Sequence, residues 1–136
     1  MDLDLIFRQD PRIARAMLMV LRDLRVRHSR ENAARVASLE STYFSRRFKD
    51  VVGVTFALWN ASVRVDTARH LLRTTNRQVR DIANAVGYDS VTTFERAFRK
   101  MTGVCPTDDR AANSLRITRN AEENTQNADS ALTRIL

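Results

Sequence analysis

A chain of 136 residues is long enough for one domain or two very small ones, and its formal net charge of +7 favours a polyanionic partner. Cys105 is the only cysteine, so no internal disulfide can form, and His28 and His70 are far apart with no Cys or His at ligand spacing, so no metal site and no cofactor is legible. No apolar run approaches the roughly 18–20 residues of a membrane span, and the start Met1-Asp2-Leu3-Asp4 is acidic where a secretion signal would be basic.

Of the 23 basic residues all but Lys49 and Lys100 are arginine. Arginine presents a planar fork that fits phosphate and the guanine edge. A GC-rich genome would enrich it too, so the ratio alone decides little. The placement of the charge says more. In residues 111–136, Arg116, Arg119 and Arg134 cancel Glu122, Glu123 and Asp129, which leaves the whole excess in residues 1–110.

Proline and glycine are scarce and strand-like alternation is absent, so the chain reads as all-α. Residues 1–9 form an N-terminal extension. Asp10-Pro11 is a helix start, with Asp as N-cap and Pro at the first helical position. Ile13, Met17, Val20, Leu21 and Leu24 form one apolar stripe behind it. Ser29 can cap a short second helix through Ala33, Ala34 and Val36, and Ala37-Ser38 make a brief turn. A third helix carries Phe44 and Phe48 and stops near Gly53. Thr55 caps a longer fourth helix, about residues 55–73, with no Pro or Gly inside it, which makes it a rigid connector. Asn76 is the expected cap of a fifth helix bearing Val79, Ile82, Ala83 and Val86. Gly87 fits the left-handed position past its end. Asp89 or Ser90 caps a sixth helix with Phe94, Ala97, Phe98 and Met101, and Gly103 and Pro106 break it. The polar tail, 111–136, has little to bury and is expected to be loose, with a short helix at 130–136. The expected count is about seven helices.

Two stretches share one pattern. Phe44-Ser45-Arg46-Arg47-Phe48-Lys49 followed by Gly53, and Phe94-Glu95-Arg96-Ala97-Phe98-Arg99 followed by Gly103, both read F-x-R-x-F-[K/R]-x-x-x-G, fifty residues apart. A repeat at that period fixes architecture. The paired phenylalanines at i and i+4 lie on one helix face and the arginine points elsewhere. Each repeat follows a short helix and a tight turn, which is the helix-turn-helix arrangement. The expected layout is a first helix-turn-helix over 10–54, the connector at 55–73 and a second over 74–110.

The stretch Ile82-Ala83-Asn84-Ala85-Val86-Gly87-Tyr88-Asp89-Ser90, then Phe94 to Arg99, then Gly103-Val104-Cys105-Pro106, closely resembles the signature of AraC/XylS-type transcription regulators. Arg64 to Leu72 is similar to that family's linker helix, R-x-x-x-A-x-x-L-L. The match covers about residues 12–110. The resemblance implies two helix-turn-helix subdomains on a linker helix and a DNA-binding transcription regulator, often an activator that contacts RNA polymerase. It also implies two recognition helices in successive major grooves, about 34 Å apart. Only eleven or so residues precede the first predicted helix. The chain therefore resembles the stand-alone members that lack a sensor domain for a small-molecule effector, and it is expected to act as a monomer on double-stranded DNA in the cytoplasm, associated with the nucleoid. Against the family pattern, Glu40 stands where Ser is usual, Ser38 where Gly is usual, Arg47 where an apolar residue is common, and Asp109 where the closing motif has an aromatic. Ser41 could serve as N-cap in place of residue 40.

In this frame Thr42, Ser45 and Arg46 on one helix, and Val91, Thr92, Glu95 and Arg96 on the other, face the base edges. An arginine can grip guanine with two bonds, worth about 1–3 kcal/mol of discrimination. Glu95 could accept from a cytosine amino group or pair with Arg99 at i+4. Arg47, Lys49, Arg99 and Lys100 are placed for phosphates, as are the helix starts at Ser29, Ser41, Asn76 and Ser90. Phe44, Phe48, Phe94, Phe98 and Trp59 read as core, and Cys105 as a small filler. A second class of reading is an interaction module, or an antagonist of related regulators or polymerase, that binds DNA weakly. It is prompted by Glu40 and Glu95 on the reading helices. No nucleophile–base pair, glycine-rich phosphate loop or metal cluster points to an enzyme.

Overall fold

The computed structural model describes the backbone of residues 2–135 and the side-chain surroundings of residues 2–126. Among the described residues there are eight helices and no strand: α1 Leu3–Gln9, α2 Pro11–Arg22, α3 Arg30–Val36, α4 Ser41–Val52, α5 Phe56–Thr74, α6 Val79–Ala85, α7 Val91–Thr102 and α8 Pro106–Ile135.

Two apolar cores lie at the two ends of α5. In the first lobe Phe44, Phe48, Phe56 and Trp59 form a ring cluster with neighbouring centroids 5.4–6.1 Å apart. Ile13, Met17 and Val20 of α2 and Ala33 and Ala34 of α3 close it. The second lobe repeats the plan on a smaller scale. Phe94 packs on Phe98 and Tyr88, with Val65, Ala68 and Leu72 of α5 and Ile82 and Val86 beneath them. Each buried ring contributes about 2–3 kcal/mol by leaving water. The i, i+4 phenylalanines are therefore the anchors that turn the outer faces of α4 and α7 toward solvent.

The caps follow the sequence in most places. The Asp10 carboxylate accepts from the Arg12 N–H, Ser29 Oγ from the Asn32 N–H, and Thr55 Oγ1 from the Leu58 N–H. Gly53 and Gly103 end α4 and α7 in the left-handed conformation. At the turn between α3 and α4 the left-handed residue is Ser38, φ 58°, where the second lobe has Gly87.

Four expectations are corrected. Residues 1–9 are more than an extension: Asp2 caps α1, and Leu3, Ile6 and Phe7 pack it on the first core. Ser41 is the first helical residue of α4, because the Glu40 carboxylate reaches further and takes both the Thr42 and Tyr43 N–H groups. Asn76 does not cap α6; that helix starts at Val79, with Gln78 at the cap position and no side-chain capping bond. The cause is Arg110, whose guanidinium donates to the carbonyls of Leu72, Thr75 and Arg77 and holds that segment extended. The tail is helical rather than loose, since α8 continues to Ile135 and the count is eight. After buried Pro106 and Asp109 the side chains described on it are mostly exposed. Its helicity rests on Ala, Leu, Arg, Glu and Gln, and on the absence of Pro and Gly, rather than on burial.

Candidate nucleic-acid interface

Helices α4 and α7 are both twelve residues long and lie fifty residues apart in register. Thr42 matches Thr92, Arg46 matches Arg96 and Lys49 matches Arg99. All six side chains are exposed. Behind them Phe44, Phe48, Phe94 and Phe98 are fully buried. The structure thus brings the arginine, the threonine and a phosphate-range cation onto one solvent face in each lobe.

The remaining sequence-nominated residues divide. Glu95 and Lys100 are exposed on α7, and Val91 is half-buried at its start. Among the described residues Glu95 forms no ion pair with Arg99, and neither Arg46 nor Arg96 is paired with a carboxylate. Ser45 is half-buried, and its hydroxyl donates to the Ser41 carbonyl at 3.1 Å. It therefore offers lone pairs outward and no free proton. Ser29 and Ser90 are exposed caps, while Asn76 is exposed in the link before α6.

Arg47 is the exception among the cations. Its Nε donates to Asp10 Oδ2 at 2.8 Å, and Asp10 also takes two bonds from the Arg12 side chain. The Asp10 side chain is 2 % exposed. The Arg12 bond holds its carboxyl well below the usual carboxylate range; burial opposes this, and Arg47 adds to the lowering. Arg47 therefore fastens α4 to the start of α2. Its counterpart Ala97 has no such duty.

The two helix starts differ in what they leave open. At α4 the Glu40 carboxylate consumes two backbone N–H groups, and these two bonds, Thr42 first, lower its pKa. A phosphate arriving there meets a carboxylate. At α7, Ser90 Oγ accepts from the Thr93 N–H at 3.4 Å, so the cap is neutral and takes one backbone N–H where Glu40 takes two. Sequence reasoning also passed over Tyr43, 43 % exposed, which lines a shallow hollow with Arg46, Arg47 and Asp50. Its i+3 spacing to Arg46 was the available signal.

A second buried carboxylate answers the departure at Asp109. That side chain is 4 % exposed and accepts from Arg69 Nε at 3.0 Å and Arg73 Nη2 at 3.2 Å, which binds α8 to α5. Where the resembling family closes with an aromatic, this chain closes with a clasp of two arginines on one acid.

A further structural arginine, Arg64 of α5, is 1 % exposed and meets no carboxylate. It donates to the carbonyls of Leu24, Val26 (3.1 Å) and Val86 (2.8 Å) and to Asn60 Oδ1 (3.2 Å). Burial, then the nearby Arg27 charge, lowers its pKa from the ordinary arginine value.

No helix described is long and apolar enough to cross a membrane, and no cluster of metal-ligating side chains occurs among the described residues.

Comparison with known proteins gives a consistent result. The family described as helix-turn-helix domain matches residues 33–112. The arabinose operon regulatory protein of Escherichia coli K12 is 30% identical over 80 residues, 59% of this chain and 27% of that protein. The HTH-type transcriptional regulator RipA of Corynebacterium glutamicum is 33% identical over 97 residues, 71% of this chain and 29% of that protein. The chain thus spans less than a third of the curated relatives it matches. Among solved structures, the DNA-binding domain of AdpA, a global transcriptional factor crystallised with a target DNA, superposes with a TM-score of 0.73 at 29% identity. That match covers 76% of this chain and 94% of the AdpA chain. The C-terminal domain of AraT, a response regulator from Geobacillus stearothermophilus, gives 0.72 at 29% identity over 75% of this chain and 85% of that one.

Proposed function

Because the chain belongs to the AraC-type helix-turn-helix family, we propose that it is a sequence-specific DNA-binding transcription regulator that sets α4 and α7 in two successive major grooves. The observation that carries this is the matched pair of helices, each with two buried phenylalanines, an exposed Thr/Arg face and a left-handed glycine stop, on a chain of net charge +7. Grooves on one face of B-DNA recur about every 34 Å, so two heads on one chain do what a dimer does with two. Monomeric binding follows from that economy. Activation through contact with RNA polymerase is supported by the family resemblance.

Within this reading Arg46 and Arg96 grip guanine, Thr42 and Thr92 contact thymine methyls or bridging water, and Lys49, Arg99 and Lys100 hold phosphate. Glu95 stands free to accept from a cytosine amino group. The second lobe reads more strongly than the first, since Glu40 sets a negative charge at the head of α4 and Arg47 is tied to Asp10.

Selection from a random double-stranded DNA library, with binding followed against salt, tests the proposal. Two short motifs about one helical turn apart are expected, with affinity falling as salt rises. A single enriched motif would confine base reading to α7. Absence of any binding would favour the weakly DNA-binding interaction module instead.

A further inference from the structure

The two lobes are joined by more than the length of α5. At mid-helix Arg64 reaches into the gap between them. Its guanidinium gathers the Leu24 and Val26 carbonyls from the loop after α2, in the first lobe, and the Val86 carbonyl from the end of α6, in the second. Asn60 Oδ1, one helical turn earlier, aligns the guanidinium by accepting from Nε at 3.2 Å. The loop that supplies the first two carbonyls supplies a second bridge as well. Arg27 stacks its guanidinium over the Tyr88 ring of the second lobe, 5.0 Å from the centroid.

The joint is closely packed at Gly87. Gly87 lies between the bonded carbonyls with φ 90°, and a Cβ there would collide with the Arg64 guanidinium and the Leu24 carbonyl. A buried guanidinium without a carboxylate is costly unless every donor finds an oxygen in the right place. A rotation of one lobe against the other would part the Leu24 and Val26 carbonyls from Val86 and cost the guanidinium part of its set of acceptors. The cost of misalignment is therefore concentrated in one side chain that contacts both lobes.

We propose that Arg64, backed by Arg27 on Tyr88, is the positioning residue that fixes the setting of the two reading helices and so the half-site spacing the protein accepts. The inference rests on the two-groove reading proposed above. Arg64 is buried and touches no DNA in this scheme; it acts on specificity through geometry alone. With the joint intact, only one spacing lets both heads engage, and the second head binds at a high effective concentration. With the joint loosened, each head keeps its own motif but the pair tolerates shifted motifs.

The test uses the full chain and a set of duplexes carrying both selected motifs, with the spacer varied one base pair at a time, together with duplexes carrying one motif. Arg64→Lys keeps the charge but cannot reach all the carbonyls, and Arg27→Ala removes only the exposed bridge. Wild type is expected to show a sharp spacing optimum. Arg64→Lys is expected to flatten it by about tenfold at the optimum, with single-motif binding unchanged. Arg27→Ala is expected to give a smaller flattening. Circular dichroism confirms that each variant is folded. A folded Arg64→Lys protein with the wild-type spacing profile would overturn the inference and leave the two-groove reading standing. If Arg64→Lys does not fold, an unchanged profile in Arg27→Ala overturns it. A wild-type protein with no spacing optimum would overturn the two-groove reading itself, and the inference with it.

Discussion

Arg47 on α4 donates through Nε to Asp10 at the start of α2, 2.8 Å away, so the helix that faces solvent with Arg46 is fastened from behind by its very next residue. Asp10 is almost wholly buried and also holds Arg12. One carboxylate thus caps α2 and orients α4.

This acid makes stability depend on pH. Its folded pKa is depressed, so its contribution is complete above the unfolded carboxylate value of about 3.9 and is lost as pH falls through the lower folded value. Wild type is expected to exceed Asp10→Asn in stability at pH 7, and the gap is expected to shrink steadily below about pH 4. Urea unfolding at a series of pH values measures it; a gap that is constant between pH 7 and pH 3 would contradict the assignment.

Asp109 performs the same task between α8 and α5. Replacing it with Ala leaves Arg69 and Arg73 without their shared acceptor and frees the first turn of α8. A loss of about 1–3 kcal/mol is expected, below the value for a fully buried pair because both arginines are partly exposed. Thermal and denaturant unfolding would show it as a fall in midpoint.

Gly53 and Gly87 both have positive φ but sit in different surroundings. A Cβ at Gly53 meets nothing within 4 Å, whereas at Gly87 it strikes Arg64 and the Leu24 carbonyl. Gly53→Ala should cost about 1 kcal/mol, the conformational term alone. Gly87→Ala should cost clearly more, because a collision adds to that term. Equal losses in the two would show that the joint yields.

Arg96 and Arg99 are expected to separate reading from holding. Arg96→Ala should weaken binding to the selected site by about 1–3 kcal/mol and relax base preference at one position. Arg99→Ala should weaken all sequences alike and reduce the salt slope by about 1. Titrations at several salt concentrations, on selected and scrambled duplexes, distinguish the two patterns.

Glu40→Ser keeps a capping oxygen at α4 and removes a negative charge from its head. Tighter DNA binding is expected, with the larger gain at low salt, because unscreened repulsion of phosphate is what the change relieves. Binding that is weaker at every salt concentration would mean that the Glu40 bonds to Thr42 and Tyr43 are needed to set the helix.

Much of this was legible in the sequence because it depends on local spacing. The i, i+4 phenylalanines, the caps at Asp10, Ser29, Thr55 and Ser90, and the left-handed glycines after α4 and α7 are written within a few residues. What was not legible depends on partners distant along the chain. Arg47 reads as one more surface cation until Asp10, 37 positions away, is placed beside it. Asp109 reads as a lost aromatic until Arg69 and Arg73 surround it. Asn76 has the chemistry of a cap, but Arg110 holds its neighbours extended and delays the helix. The tail departs from its expectation for another reason. Having little to bury argues against packing, but it does not argue against a helix when strong helix formers run without interruption.

Ser38 and Gly87 occupy the same turn in the two lobes, and the difference between them makes the repeats directional. Ser38 is exposed and accepts the strain of a left-handed backbone at a modest cost, so the first turn does not require glycine. Gly87 is walled in by Arg64 and the Leu24 carbonyl and has no such freedom. The halves are therefore not exchangeable parts. A chimera that copied the first turn into the second position would force a hydroxymethyl group into a space with no room for a methyl. The likeness of the two repeats holds on the outer faces of α4 and α7 and fails where the two lobes meet.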